Sequence, residues 1–388
     1  MSYPDITGAE RQAVMEVLNT PNLAMGPKID AFEDAIAEYT GARHAIAVNS
    51  GTAGLHLCVR AAQIEQNDLV VTTPFSFVAS TNVLLFEKAI PVFVDVDPLT
   101  GNIDPLKAAA AVRELKEGGA AASRWLPRKG AEHPGPLKAL LAVDVFGQPA
   151  DYDGLRKITD AAEIKLIEDS CESLGAKYKS RKTGTLGDYG VFAFYPNKQI
   201  TTGEGGIIVT DDDEADHFMR ALRSQGRAPG DTWLQHTYMG YNYRLDEMSA
   251  ALGLVQMSRI EELLGKRQQV ADWYGERLSE IQGVEAPVLV EDTTRVSWFV
   301  YVVRFDISLN RDKIAEELKR RGIPVRPYFL PIHLQPYMVS QFGYRPGDFP
   351  VTEDLGNRGL ALPFSGMMSE EQVEIVCQTL RDCIQQRP

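Results

Sequence analysis

The amino-acid sequence predicts an α/β protein built on a mostly parallel central sheet, followed by a smaller α+β unit. Three observations carry the prediction. Between His44 and Thr210, short runs rich in β-branched residues alternate with stretches of helical periodicity, as in βαβ units whose sheet is covered on both faces. From Asp246 to Ile281 the pattern becomes long helical material. The remainder mixes an alternating run with further helical stretches.

Thr7 and Glu10 have capping-box spacing, which places a first helix over about Gly8 to Leu18. A segment marked by proline and glycine, Pro21 to Pro27, follows. Ile29, Phe32, Ile36 and Tyr39 recur at helical spacing and define a second helix that stops at Gly41. Strands are then expected at His44–Val48, Leu69–Thr72, Pro91–Val96, Leu137–Val145 and Lys165–Ile167. Helices at Thr52–Ala62, Phe77–Glu87, Asp104–Lys116 and Tyr152–Ala162 separate them. The stretch from Gly118 to Pro136, rich in Ala, Gly, Pro and charge, reads as a surface excursion. Two more strands, Tyr189–Phe194 and Gly206–Thr210, bracket a polar loop containing Lys198. In the last part, Val296, Trp298, Val300 and Val302 alternate as a strand would, Arg311–Arg321 is helical, and Ser369 with Gln372 caps a final helix. The expected division is 1–255 for the large domain and 256–388 for the small one, sizes that can each hold a core.

With 40 Lys+Arg against 53 Asp+Glu, the formal net charge is −13. That argues against broad nucleic-acid binding, which needs a basic footprint. Four scattered cysteines, Cys58, Cys171, Cys377 and Cys383, suit neither a disulfide scaffold nor a CxxC zinc site. The six histidines show no ligand spacing, so no metal is expected. The N-terminal MSYPDITGAE lacks the basic start and apolar run of a signal peptide. No apolar stretch approaches the ~20 residues of a membrane helix. The expectation is a cytoplasmic protein with no membrane partner.

Open α/β sheets bind ligands at the carboxyl ends of their strands, and three of those ends carry suitable residues. After His44–Val48 comes Asn49-Ser50-Gly51-Thr52-Ala53-Gly54 and a helix, where free N–H groups and the helix dipole suit a phosphate. The plainer reading is a glycine turn with Thr52 as the cap. After Lys165–Ile167 comes Glu168-Asp169-Ser170-Cys171-Glu172, whose carboxylate could pair with a protonated ring nitrogen or simply cap the turn. Lys198 sits in a loop bounded by Pro196 and Gly203 between two hydrophobic strands. That setting can lower an amine pKa enough for Schiff-base chemistry, although a lone loop lysine is ordinarily exposed.

Their conjunction is more specific than any one of them. A phosphate cradle, an aromatic helix start at Phe77, a strand-end Asp169 and a lysine 29 residues later follow the order of fold-type I enzymes of pyridoxal 5'-phosphate (PLP). The stretches SGTAGL, FSFVASTN, EDSCESLGA, FAFYPNKQITTGEGG, GYNYRLDEMSAALG and RPYFLPIHLQP, spread over nearly the whole chain, resemble the DegT/DnrJ/EryC1/StrS family of sugar aminotransferases.

The resemblance implies that Lys198 holds PLP as a Schiff base, that Asp169 pairs with the pyridinium nitrogen and that Glu172 lies near the phenolic oxygen. It implies that Phe77 stacks on the ring and that Gly51, Thr52 and Ala53 bind its phosphate. Asn242 matches an asparagine that reaches the cofactor phosphate of the neighbouring subunit, which implies a homodimer with shared sites. Two positions depart from the pattern: Ala193 stands where many relatives have a phosphate-binding serine, and Ser170 where a small apolar residue is usual. The implied reaction passes an amino group from L-glutamate to a keto sugar, with a nucleotide-linked 4-keto-6-deoxy sugar the favoured acceptor. Arg227, Arg244 and Arg326 are candidates for an anionic substrate because arginine's planar fork suits phosphate, and His333 matches a region near the sugar. Structural ion pairing, or for His333 a local backbone contact, would equally explain them. A cyclitol or small-ketone aminotransferase of the same fold remains an alternative. Dehydratases of the family carry histidine in place of the lysine, so Lys198 argues against that chemistry. A regulatory PLP-binding module would be expected to lack the lysine or to carry an added DNA-binding segment.

Overall fold

In the computed structural model, which describes residues 3–385, the alternating runs assemble into one seven-stranded sheet. It begins with β1 (His44–Val48), β2 (Leu69–Thr72), β3 (Ile90–Phe93), β4 (Leu137–Val143) and β5 (Lys165–Asp169). A small hairpin, β6 (Lys177–Tyr178) and β7 (Arg181–Lys182), precedes the last two members, β8 (Tyr189–Ala193) and β9 (Gly206–Thr210). The order is β1-β9-β8-β5-β4-β2-β3. Neighbours from β8 through β3 are parallel, whereas β9 runs antiparallel to both β1 and β8. The strands other than β9 therefore point one way, and their carboxyl ends share one edge.

Every residue of β2, β3 and β9 is buried, as expected of strands covered on both faces. The helices Gly51–Ala61, Ala79–Phe86 and Asp213–Arg223 pack on one face around Leu55, Val83, Met219 and Leu222. Helix Pro27–Thr40 places Ile29, Phe32 and Ile36 on the other, and Pro105–Glu117 and Tyr152–Ala162 continue that layer. The first of these ends at Gly41, whose left-handed φ of 86° lets its N–H close on the Ala37 carbonyl.

The smaller unit is an antiparallel sheet of β10 (Val284–Glu285), β12 (Tyr301–Phe305) and β13 (Gly359–Leu362), while β11 (Thr293–Arg295) joins β6. Helices Ile260–Leu278, Arg311–Arg320 and Glu370–Gln385 close its core around Tyr274, Leu318 and Leu380.

Two expectations differ from the structure, and one gains detail. The long helical stretch is two helices, Glu247–Ser258 and Ile260–Leu278, broken at Arg259, whose guanidinium is drawn to Asp5, Glu10 and Glu262. The alternating run is not a strand at Val296 to Val300: the ladder starts at Tyr301. Ser297 N–H instead donates to Gly147 O, and the Trp298 and Phe299 carbonyls accept from Arg267. All five residues from Val296 to Val300 are buried, so their alternation did not mark a one-sided strand. The expected surface excursion contains a short helix, Gly119–Ser123, and packs Trp125 and Leu126 against the core.

Candidate active site

Four chain segments leave the common edge of the sheet and surround a cavity of about 400 Å³. Gly51 and Thr52 follow β1, Phe77 follows β2, Asp169 to Glu172 end β5, and Ala193 to Lys198 follow β8. Phe299, Arg326, Tyr328 and Phe329 close it from the smaller unit.

The turn after β1 is built to leave donors free. Ser50, not Thr52, caps the helix: its hydroxyl accepts the Ala53 N–H at 3.1 Å. The Ala53 N–H is thereby engaged by Ser50, and Ala53 does not line the cavity. Gly51 and Thr52 do line it, at the positive end of the helix dipole. A Cβ on Gly51 would meet Ala193 Cβ at 2.8 Å and Cys171 Sγ at 2.9 Å, so only glycine allows the turn to lie so close to the ends of β8 and β5. These features fit a phosphate.

Asp169 is buried. Its Oδ2 accepts from the Ser80 hydroxyl at 2.6 Å and its Oδ1 from the Cys171 N–H at 3.2 Å. Lys198 enters from the adjacent strand β8, and its Nζ lies 3.7 Å from Glu172 Oε1 and 3.9 Å from the centre of the Phe299 ring. Glu172 Oε2 accepts the Phe146 N–H at 2.9 Å. Burial raises the Glu172 carboxyl pKa above its ordinary value, against the opposing pull of the Lys198 ammonium. Burial and the Asp169 charge likewise push the Cys171 thiol well up, so it stays protonated. A carboxylate for a ring nitrogen, a half-buried amine, an aromatic face at Phe77 and a phosphate turn thus border one cavity, and this set of residues fits PLP.

The remaining candidates divide. Arg326 lines the cavity, its main chain paired with Ala361 beside β13. His333 does not: it is fully buried in a short 3-10 turn with Nε2 3.0 Å from Glu353 Oε1, its ring against Phe349. Burial lowers its pKa despite that carboxylate. Arg227 and Arg244 also lie outside this cavity. The first sits over the Trp233 ring at 4.4 Å, and the second donates to Ser224 Oγ at 3.5 Å. Asn242 is exposed between Tyr241 and Tyr243, whose rings stack at 4.9 Å, and it lines no part of this chain's own cavity.

Sequence reasoning missed Ser80, Phe299 and Arg267. Ser80 was signalled only by its place three residues after Phe77. Arg267 is a charge on the apolar stripe of its helix and could have been noticed. Nothing local marks Phe299. Among the described residues no helix is long and apolar enough to cross a membrane, and no cluster of three or more His, Cys, Asp or Glu could hold a metal ion.

Residues 4–381 match the DegT/DnrJ/EryC1/StrS aminotransferase family. A GDP-perosamine synthase of Caulobacter vibrioides is 35% identical over 383 residues, covering 98% of this chain and 96% of that protein. The spore coat polysaccharide biosynthesis protein SpsC of Bacillus subtilis is 33% identical over 396 residues, covering 99% and 96%. Among solved structures, the Helicobacter pylori aminotransferase PseC, involved in the biosynthesis of pseudoaminic acid, superposes with a TM-score of 0.87 at 27% identity, covering 99% of this chain and 98% of that one. The chain belongs to this family: it is a PLP-dependent aminotransferase of fold type I.

Proposed function

From that membership we propose that the enzyme passes the amino group of L-glutamate to a nucleotide-linked keto sugar, with a 4-keto-6-deoxy sugar the favoured acceptor. The observation that carries the chemistry is the placing of Lys198 and Asp169 at the ends of adjacent parallel strands, bordering one cavity. The sugar reading draws support from relatives that are GDP-perosamine synthases and from Arg326 at the cavity wall.

PLP, when bound, supplies an electron sink for the bond broken at the donor's Cα. The chain's residues do the rest. Lys198 Nζ would hold the cofactor's aldehyde and, as a free amine, would act as the general base at the donor's Cα. Asp169, fixed by Ser80, keeps the ring nitrogen protonated. Glu172, with its raised proton affinity, serves the phenolic side. The Gly51 and Thr52 turn would take the phosphate, and Phe77, at the cavity wall, would lie against the ring. Arg326 binds an anionic group of the donor or acceptor through its planar fork. Asn242, turned away from its own cavity, serves the partner's cofactor, so the active unit is a homodimer. The same reading keeps 1–255 and 256–388 as working domains and places the enzyme in the cytoplasm.

The test offers a panel of keto-sugar nucleotides and inososes to the pyridoxamine-phosphate form and scores which acceptor restores the aldehyde spectrum. Turnover of an inosose with none of the nucleotide sugars would replace this reading with the cyclitol one.

A further inference from the structure

Arg267 lies on the helix Ile260–Leu278 within the buried stripe of Leu263, Leu264, Val270 and Ala271, where an apolar residue would be expected. It is 5% exposed. No carboxylate pairs with it among the described residues. Its guanidinium donates instead to four backbone carbonyls: Trp298 at 3.2 Å, Phe299 at 3.4 Å, Asn197 at 3.3 Å and Lys198. Burial without a counter-ion draws its pKa down to about 10, and a buried unpaired charge is costly. A leucine or methionine would fill the stripe without that cost, so the four carbonyls must be worth holding.

They belong to two segments, the loop carrying Lys198 and the approach to β12. The second presents the Phe299 ring to Lys198 Nζ at 3.9 Å. Gln199 ties the same segments again, its Nε2 donating to the carbonyls of Glu172 at 2.5 Å and Ser297 at 3.0 Å. Ser297 N–H reaches Gly147 O at 3.0 Å, next to Phe146, whose own N–H holds Glu172. The lysine loop, Glu172 and the entrance to the smaller unit are thus joined in one circuit, in which Arg267 is the charged donor that reaches both the lysine loop and the 298–299 carbonyls.

We infer that Arg267 is the positioning residue of Lys198: its buried fork fastens the lysine loop to the 297–299 segment, so the amine and the ring facing it move as one piece with the smaller unit. Lys198 must leave and regain the same point in every cycle. With its own carbonyl anchored, only side-chain torsions change, and the geometry of return is kept. Lysine could bring the charge but not a planar fork that reaches two segments.

The inference rests on Lys198 being the residue that takes up PLP, so the experiment includes Lys198→Ala. Apoprotein is mixed with PLP and the appearance of the visible band is followed for the wild type, Arg267→Lys, Arg267→Met and Leu380→Ala. The last removes a fully buried side chain of the smaller unit and matches general destabilisation. Both Arg267 variants should capture PLP at least about tenfold more slowly, the kinetic equivalent of one charge-assisted hydrogen bond, while Leu380→Ala captures at the wild-type rate. Wild-type capture by the Arg267 variants, or equal slowing by Leu380→Ala, overturns the inference. A visible band that survives in Lys198→Ala overturns the reading beneath it instead. Should neither Arg267 variant fold, hydrogen exchange on the wild-type protein decides: the 197–199 and 297–299 amides must gain protection together when the lysine–cofactor link is reduced, and a response confined to 197–199 overturns the coupling.

Discussion

The Ser80 hydroxyl lies 2.6 Å from Asp169 Oδ2, joining the helix after β2 to the end of β5. With the Cys171 N–H on the other oxygen, it fixes a buried carboxylate in the cavity. Asp169→Asn should lower turnover by several orders of magnitude, at ~1.4 kcal/mol per decade, because a neutral amide cannot hold the ring nitrogen protonated. Ser80→Ala should cost about tenfold, the value of one hydrogen bond to a charged group. Steady-state kcat with saturating glutamate checks both, and near-normal turnover by Asp169→Asn would remove it from the mechanism.

Gly51 admits no side chain. Gly51→Ala would drive a methyl to within 2.8 Å of Ala193 Cβ and 2.9 Å of Cys171 Sγ, and such overpacking costs about 1–3 kcal/mol. The turn must shift, and the PLP dissociation constant, measured by equilibrium dialysis, should rise at least about tenfold.

Ala193 faces the same turn. Ala193→Ser places a hydroxyl beside the phosphate turn, and one hydrogen bond to an anion should tighten PLP binding by about tenfold. An unchanged dissociation constant would show that the hydroxyl does not reach the phosphate.

Arg326 and His333 should separate cleanly. Arg326→Ala should raise KM for a substrate by about tenfold or more, through loss of a charged contact. His333→Gln should leave KM within about twofold and lower stability by about 1–3 kcal/mol, because the imidazole is fully buried and holds a part-buried contact to Glu353. The reverse pattern would return His333 to the substrate site.

Asp144 is fully buried and accepts from Ser170, Ser173, Tyr152 and the Ala150 N–H. Burial nevertheless raises its pKa to about 6. Its folded value exceeds its unfolded one, so the native state binds the proton more tightly. Its contribution to stability is complete below about pH 4 and is lost as pH rises through about 6. The stability difference between wild type and Asp144→Asn should therefore shift against the wild type by about 3 kcal/mol over that interval. Denaturant titrations of the apoprotein at pH 4 and pH 7 check this, and a pH-independent difference would contradict it.

The alternation of strands and helices was legible because each βαβ unit writes its period locally. Strand ends followed, and they brought Gly51, Phe77, Asp169 and Lys198 to one cavity. What the sequence did not disclose depends on contacts between distant segments. Ser80 meets Asp169 across 89 positions, and Phe299 meets Lys198 from the other unit. That His333 lies outside the cavity was not legible either, because a motif fixes a neighbourhood but not the direction of a side chain within a tight turn. The run from Val296 to Val300 misled for a related reason: its partners are a turn and an arginine, not a neighbouring strand.

The walls of the cavity come from positions as far apart in the chain as Ser50 and Phe329. Arg326, Tyr328 and Phe329 supply the last part of that wall. A chain stopped short of Arg326 should therefore hold the vitamin more weakly than the whole one, although Gly51, Asp169 and Lys198 are all present in it.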